Sequence, residues 1–281
     1  MIVLVTWCAG FIGSNIVEQL LKDGKRVIGL DNLDTGHYKN ISHHEWNPNF
    51  TFYKEDIRNL EALDEIIKKE WVTHICHQAA RGSVPKSIEN PILTNDININ
   101  WTLNILWVAH KNGLKKVVCA ISSSVYGDTP TLPKEESMPY NPISPYALTK
   151  VTNEIYCHLF YKIYGLPTIG LRYFNVYGRR QDPNGPYAAI IPRWIERATD
   201  GNDLELNGEG LQTRDFTYID DVVEANILAL TTENAEAFWK GVNISFKERT
   251  SIRELWEVII DTISSESKIV SIMRDRIQVE Y

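Results

Sequence analysis

The sequence predicts an α/β fold, a doubly wound parallel sheet carrying a smaller α/β lobe. Two observations lead there. Short apolar runs alternate with amphipathic stretches through the first half of the chain, the pattern of strand-helix-strand units. From Asn175 onward the alternation breaks, and Gly178 to Gly185 is rich in Gly, Pro and charge, a loop signal.

The elements are expected in this order. Ile2–Val5 is a strand, Ile12–Asp23 a helix, Arg26–Leu30 a second strand that ends at Asp31, and Phe50–Lys54 a third. Leu60–Trp71 is a helix, His74–His77 a fourth strand, and Asn98–Asn112 a helix. Val117–Ser122 is a fifth strand, Pro145–Tyr164 a long helix and Thr168–Arg172 a sixth strand. Right-handed crossovers then place a ligand crevice at the carboxyl ends of the strands. Ile190–Gly201 reads as a helix, Leu204–Leu206 as a short strand, and Asp220–Leu230 as a helix returning to the first domain. Residues 1–174, completed by about 215–245, are expected to form a Rossmann domain, with 175–281 as the second lobe and a cleft shared between them.

The 281 residues, 43% apolar and 23% charged, have the balance of a globular protein. A formal charge of −7 argues against a general nucleic-acid or anionic-membrane surface. An anionic ligand would need a local basic pocket. Cys8, Cys76, Cys119 and Cys157 lack metal-type spacing, so no metal site is expected and the thiols are expected buried and reduced. No secretion signal is read before the first strand and no apolar run reaches membrane-spanning length, so a cytoplasmic location is expected.

The most informative stretch is Tyr146-Ala-Leu-Thr-Lys150, which puts a phenol and an ammonium one turn apart on a helix face. Tyrosine titrates near pH 10 and is a poor base at neutral pH. A neighbouring lysine is expected to lower that value toward the working range. Ser122-Ser123-Ser124-Val125-Tyr126-Gly127 ends the fifth apolar run, so its hydroxyls can hold a substrate hydroxyl near the phenol. This set suits hydride chemistry at a secondary alcohol.

Together with the Ser144-Pro145 lead-in, these residues resemble the extended short-chain dehydrogenase/reductase family in its nucleotide-sugar branch. His77-Gln78-Ala79-Ala80-Arg81-Gly82-Ser83-Val84-Pro85 and Gly178-Arg-Arg-Gln181-Asp-Pro-Asn-Gly185, followed by Tyr187-Ala-Ala189, are similar to bacterial UDP-N-acetylglucosamine 4-epimerases, over residues 1 to about 253.

The resemblance implies an isomerase with NAD as cofactor, a UDP-sugar substrate and a homodimeric assembly. Tyr146 would take the proton from the sugar O4 and Lys150 would bind the nicotinamide ribose. Ser122 and Ser123 would hold O4, and the 4-keto sugar would turn in its pocket. Gly10, Phe11, Ile12 and Gly13 would form the pyrophosphate turn, and Asp31 and Asn32 would meet the adenosine ribose. Asp56 and Ile57 would meet the adenine. Ala79 and Ala80 would pass under the cofactor, with Tyr146, Lys150 and Tyr173 completing its site. Gly82, Ser83, Ser122, Ser123, Tyr146, Asn175, Gln181, Ala189 and Arg214 would shape the sugar and diphosphate pocket.

Dehydratases of this branch carry Asp-Glu where Ser123 and Ser124 stand, so elimination is disfavoured, as is decarboxylation. UDP-glucose 4-epimerisation and a catalytically silent nucleotide-sugar-binding relative remain alternatives. The family's first glycine is Trp7 here, and its neighbour is Cys8. If that backbone needs positive φ, Trp7 costs about 1–2 kcal/mol, and its indole is expected at the cofactor's space. Trp101, Ser245 and Lys247 also replace family glycines, and crowding of helix packing and loops is expected there. The resemblance places a further phosphate-binding arginine in an Arg-x-Gly-Asp-like segment, for which Arg276 is the nearest candidate, and family members continue beyond Tyr281.

Overall fold

The structure, a computed structural model, describes residues 1–184, 188–204, 206 and 209–266. Its elements divide into two units: Met1–Phe174 with Ile219–Ile244, and Asn175–Tyr218 with the chain from Ser245 onward.

The first unit is built on a seven-stranded parallel sheet. In chain order it holds β1 (Ile2–Thr6), α1 (Phe11–Lys22), β2 (Arg26–Asp31), β3 (Phe50–Lys54), α2 (Leu60–Lys69) and β4 (His74–His77). There follow α3 (Val84–Glu89), α4 (Pro91–Asn95), a π-helical turn (Asp96–Asn100), α5 (Trp101–Lys111), β5 (Lys116–Ser122), α6 (Pro145–Tyr164) and β6 (Thr168–Tyr173). The strand order is β10-β6-β5-β4-β1-β2-β3, with β10 being Gly241–Ile244. The order reverses between β1 and β4, and such a switch point opens a crevice beyond the strands' carboxyl ends. Thr6 lies opposite His77 there, so the turns after β1 and β4 face one ligand space.

The central strands are covered on both faces, which is why they read as unbroken apolar runs. Leu4, Ile28, Ile75, Val117 and Ile121 are at most 2% exposed and pack with Leu63, Ile105 and Leu106 from the helices. All four cysteines are buried and free. Between β6 and α6 the buried Arg172 guanidinium grips Glu154 through two bonds, Nε to Oε2 at 2.9 Å and Nη2 to Oε1 at 2.6 Å. That fork ties β6 to α6, the helix that carries Tyr146 and Lys150.

Local signals place this helix. Ser144 caps it by accepting from the Ala147 amide, and Pro145 sits at its first position. Gly165 ends it at φ +67, the left-handed conformation that favours glycine. Tyr146 and Lys150 therefore fall in the first two turns, beside the end of β5.

The helix expected from Asn98 begins earlier. Asn90 caps α4, Pro91 starts it, and the π turn carries the chain into α5. A five-residue turn lies outside the 3.6-residue period, so the pattern dropped there although the helix did not. Trp101 enters α5 at ordinary helical angles, and its side chain packs at the core's edge without displacing the helix.

The second unit contains β7 (Asn175–Tyr177) paired with β9 (Phe216–Tyr218), and β8 (Thr213–Arg214) paired with β11 (Thr250–Ser251). Its helices α7 (Ile190–Thr199) and α9 (Ile252–Glu266) pack Ile191 and Trp194 against Leu255 and Ile259. The expected strand at Leu204–Leu206 is not formed at Leu204 or Leu206, and Glu205 lies outside the described residues. The helix expected at Asp220–Leu230 is α8 (Ile219–Thr231), in the first unit.

No helix among the described residues is long and apolar enough to cross a membrane. Among those residues there is also no group of His, Cys, Asp and Glu arranged to hold a metal ion.

Candidate active site

At the end of β5, Ser122 caps a short 3-10 turn (Ser123–Tyr126) by accepting from the Ser124 amide at 3.2 Å. Its side chain lies near enough to the Tyr146 phenol to pull that group's pKa down. Ser123 is half-buried beside it, and the Ser124 hydroxyl is buried without a hydrogen-bond partner. Lys150 is buried at 3% exposure, with Nζ donating to the Ala120 carbonyl at 2.7 Å and lying 5.9 Å from the Tyr146 ring centre.

The charges differ from the expected effect of a lysine on a phenol. Burial raises the Tyr146 pKa above its ordinary value, and only the Ser122 side chain opposes it. Burial brings Lys150 down to about 8, with the Cys119 and Cys157 thiols acting weakly the other way. Lys150 Nζ donates to a backbone carbonyl rather than to the phenol, and burial, not the ammonium, sets the direction of the Tyr146 shift. Desolvation is the dominant effect on both groups.

A second feature lies at the switch point, a cavity of about 410 Å³. Of the cofactor positions expected from the sequence, Asp31, Asn32, Asp56, Ile57, Ala79 and Ala80 line it. Asp31 is 3% exposed, with Oδ2 accepting from the Ala9 amide at 2.9 Å and Oδ1 from the Leu33 amide at 2.8 Å. Burial raises its pKa, and those two amides offset part of the rise. Asp56 is raised by burial too, but hydrogen bonds from Arg58 and Asn32 outweigh this and hold it below the ordinary carboxylate value. The turn after β4 is fixed from below. Thr6 Oγ1 accepts from the Gln78 and Ala79 amides at 3.1 and 3.2 Å. His77 bridges Thr6 and Thr102, and burial together with the nearby Lys150 charge takes its pKa down to about 3.

Gly10, Phe11, Ile12 and Gly13 do not line the cavity; Trp7 takes that place. Trp7 has φ +53, so the strained backbone foreseen for a non-glycine residue is present. Its indole lies over Gly10, where a Cβ would come within 2.9 Å of it, and the indole Nε1 is buried without a partner. Gly13 is needed for the same turn, since a Cβ there would sit 2.1 Å from the Trp7 carbonyl. Trp101 also lines the cavity, with Arg58 5.2 Å from its ring centre. Lys247 adopts φ +65, and Asp215 Oδ2 accepts from its amide at 2.9 Å, which holds the loop without a glycine.

Tyr173 does not line the cavity. Its hydroxyl accepts from Asn226 Nδ2 at 2.8 Å and lies within hydrogen-bond distance of Gln78 Oε1, and burial pushes its pKa up. Gly82 is exposed, and the Ser83 hydroxyl caps α3 by accepting from Lys86. In the second unit, Asn175 Nδ2 donates to the Asp215 carbonyl at 2.9 Å, and exposed Arg214 donates to the Thr213 carbonyl. Gln181 Nε2 donates to the Val176 carbonyl while its Oε1 is buried without a partner, and exposed Ala189 opens α7. Gly185, Tyr187 and Arg276 lie outside the described residues.

Two contributors escape sequence reasoning. Thr6 supports the turn after β4, a role its register opposite His77 could have suggested. Asn98 is fully buried in the π turn. It accepts from the Arg81 amide at 2.7 Å and donates to Thr149 Oγ1 at 3.0 Å, and Thr149 in turn donates to the Tyr146 carbonyl. The cavity's turn is thereby connected to the helix that carries the phenol.

A Rossmann-type sheet carries a nucleotide-sized cavity at its switch point, and a Ser-Tyr-Lys set stands at the end of β5, an arrangement with the groups for proton transfer at a secondary alcohol. Residues 3–244 match the family model described as NAD dependent epimerase/dehydratase family. A putative UDP-glucose 4-epimerase of Methanocaldococcus jannaschii is 43% identical over 258 residues, 92% of this chain and 81% of that one. The structure of a UDP-N-acetylglucosamine 4-epimerase from Methanobrevibacter ruminantium, in complex with UDP-N-acetylmuramic acid, superposes with a TM-score of 0.87. It is 38% identical, over 95% of this chain and 83% of that one. A UDP-glucose 4-epimerase from Thermotoga maritima, solved with UDP-glucose, also gives 0.87 at 34% identity, over 95% and 84%. The chain belongs to the NAD dependent epimerase/dehydratase family. It is an enzyme of the UDP-sugar 4-epimerase type, and its cofactor is NAD. The residues fit that group, since Asp31, Asn32, Asp56 and Ile57 gather polar and apolar wall for a nucleoside at the ends of β2 and β3.

Proposed function

We propose that the protein interconverts UDP-N-acetylglucosamine and UDP-N-acetylgalactosamine by oxidation and re-reduction at C4. The observation that carries the chemistry is the grouping of Ser122, Tyr146 and buried Lys150, with Lys150 Nζ 5.9 Å from the Tyr146 ring centre. NAD, when bound, supplies the acceptor and donor of hydride. Tyr146 Oη takes the O4 proton and returns it, and Ser122, with Ser123, holds O4. No carboxylate stands at positions 123 or 124 to drive elimination. Asp31 and Asn32 would hold the adenosine ribose, and an acidic strand end there favours an unphosphorylated ribose. Asn175, Gln181, Ala189 and Arg214 would meet the sugar diphosphate, with Arg214 offering a charged fork to phosphate.

The choice of N-acetylated sugar rests on Gly82-Ser83 and Arg179-Arg180-Gln181, which are similar to the UDP-N-acetylglucosamine 4-epimerases, and it agrees with the Methanobrevibacter likeness. The expected outcome is faster interconversion of the N-acetylated pair than of UDP-glucose and UDP-galactose, read by chromatography of the nucleotide sugars. The Methanocaldococcus and Thermotoga likenesses favour a second reading, UDP-glucose 4-epimerisation. Equal or better turnover of the plain hexoses would establish that reading instead.

A homodimer is part of the proposal. Leu148, Ile155, Leu159 and Ile163 form a stripe along α6, at 54%, 44%, 39% and 65% exposure. A face that apolar favours burial against a second copy. Sedimentation should give twice the chain mass, with Leu159→Glu reducing it to the monomer. A wild-type monomer at tens of micromolar, roughly, would remove the dimer from the proposal.

A further inference from the structure

The charged lining of the cavity is divided by sign. Asp31, Asp34, Glu55 and Asp56 gather at the ends of β2 and β3, and Arg58 is already bound to Asp56 at 2.7 Å. Arg81 and Lys86 stand on the β4 side, in the turn after that strand and in α3. Neither forms an ion pair among the described residues, and Arg81 Nε is buried without a hydrogen-bond partner. The backbone of Arg81 is held by Asn98 at both its amide and its carbonyl, so the side chain starts from a fixed point. Between these two ends the turn after β1 carries the Trp7 indole, which lies over Gly10.

We infer that Arg81, with Lys86 as a lesser partner, is the phosphate-holding side chain of this cavity and replaces backbone contacts that Trp7 obstructs. The ligand is a nucleoside diphosphate group with an unmodified ribose. The ribose goes to the acidic end, where a further phosphate would be repelled, and the diphosphate goes to the unpaired cations. A buried guanidinium nitrogen without an acceptor costs free energy until an anion supplies one. Arg presents a fork that matches phosphate oxygens. The inference rests on the NAD reading of the same cavity and adds the group that carries its charge.

The experiment compares wild type, Arg81→Met and Arg81→Lys by calorimetric titration with NAD, ADP and adenosine at two salt concentrations. Arg81→Met should weaken ADP and NAD by about 10–100-fold, the range of hydrogen bonds to charged groups. Adenosine, which has no phosphate, should bind both proteins alike. Arg81→Lys should recover part of the loss. The salt dependence of ADP binding should be steeper in wild type than in Arg81→Met. Unchanged ADP affinity in Arg81→Met would overturn the inference and leave the NAD reading standing. An equal loss for adenosine would also overturn it, because the role would then be structural. Wild type that binds neither NAD nor ADP would overturn both.

Discussion

Tyr146→Phe should lower epimerase turnover by about 10²–10⁴-fold, the usual worth of general acid-base catalysis. The phenylalanine keeps the ring in its half-buried place and removes only the hydroxyl that Ser122 contacts. KM for the UDP-sugar and the affinity for NAD should change little, because neither depends on the proton. Burial raises the Tyr146 pKa, so the phenol is protonated at neutral pH until positive charge or a substrate hydroxyl changes its surroundings. Lys150, brought down to about 8, is still mostly protonated at pH 7 and is the chain's own source of that charge. Steady-state assays of the purified variant decide the matter. Wild-type turnover in Tyr146→Phe would remove Tyr146 as the base.

How much of this was legible in the sequence depends on how local each signal is. The bounds of α6 follow from Ser144, Pro145 and Gly165, all adjacent to the helix, and the sequence reading places them at the same residues. Strands β1, β2, β4, β5 and β6 are largely buried and read as apolar runs, and the ends of β1 to β6 differ from expectation by at most one residue. The pairs β7–β9 and β8–β11 are two or three residues long, too short to carry a period, and were not foreseen. In the site, acids at strand ends could be placed on the crevice from topology alone. The lysine's effect on the phenol could not, because it depends on the Ala120 carbonyl and on burial, both tertiary facts. Arg81 was read only as part of a run, since an unpaired cation is defined by neighbours far away in the chain. The sign of the Trp7 φ and the indole's place at the cofactor's space could be foreseen as conditions of the turn, but its packing over Gly10 could not.

Trp7 carries the largest consequence for the cofactor. A pyrophosphate is best held where the turn after β1 lets it approach the backbone and the first amides of α1. Gly10 caps that helix at extended angles, and the indole covers it. Trp7 also holds φ +53 at a cost of about 1–2 kcal/mol, which the native packing must offset. The protein as isolated should therefore carry less than one NAD per chain and exchange it readily, with Arg81 supplying part of the grip that the turn has lost. Converting Trp7 and Cys8 to Gly should clear the helix start and raise NAD affinity by about tenfold or more, equivalent to about 1.4 kcal/mol. Absorbance and chromatography of nucleotide released from denatured protein measure the occupancy, and titration with NAD measures the affinity. Activity should rise with occupancy when NAD is limiting and converge with wild type when NAD is in excess. If wild type instead purifies fully loaded and Trp7→Gly alters neither quantity, the indole lies outside the pyrophosphate's path, and the turn tolerates tryptophan at no cost to binding.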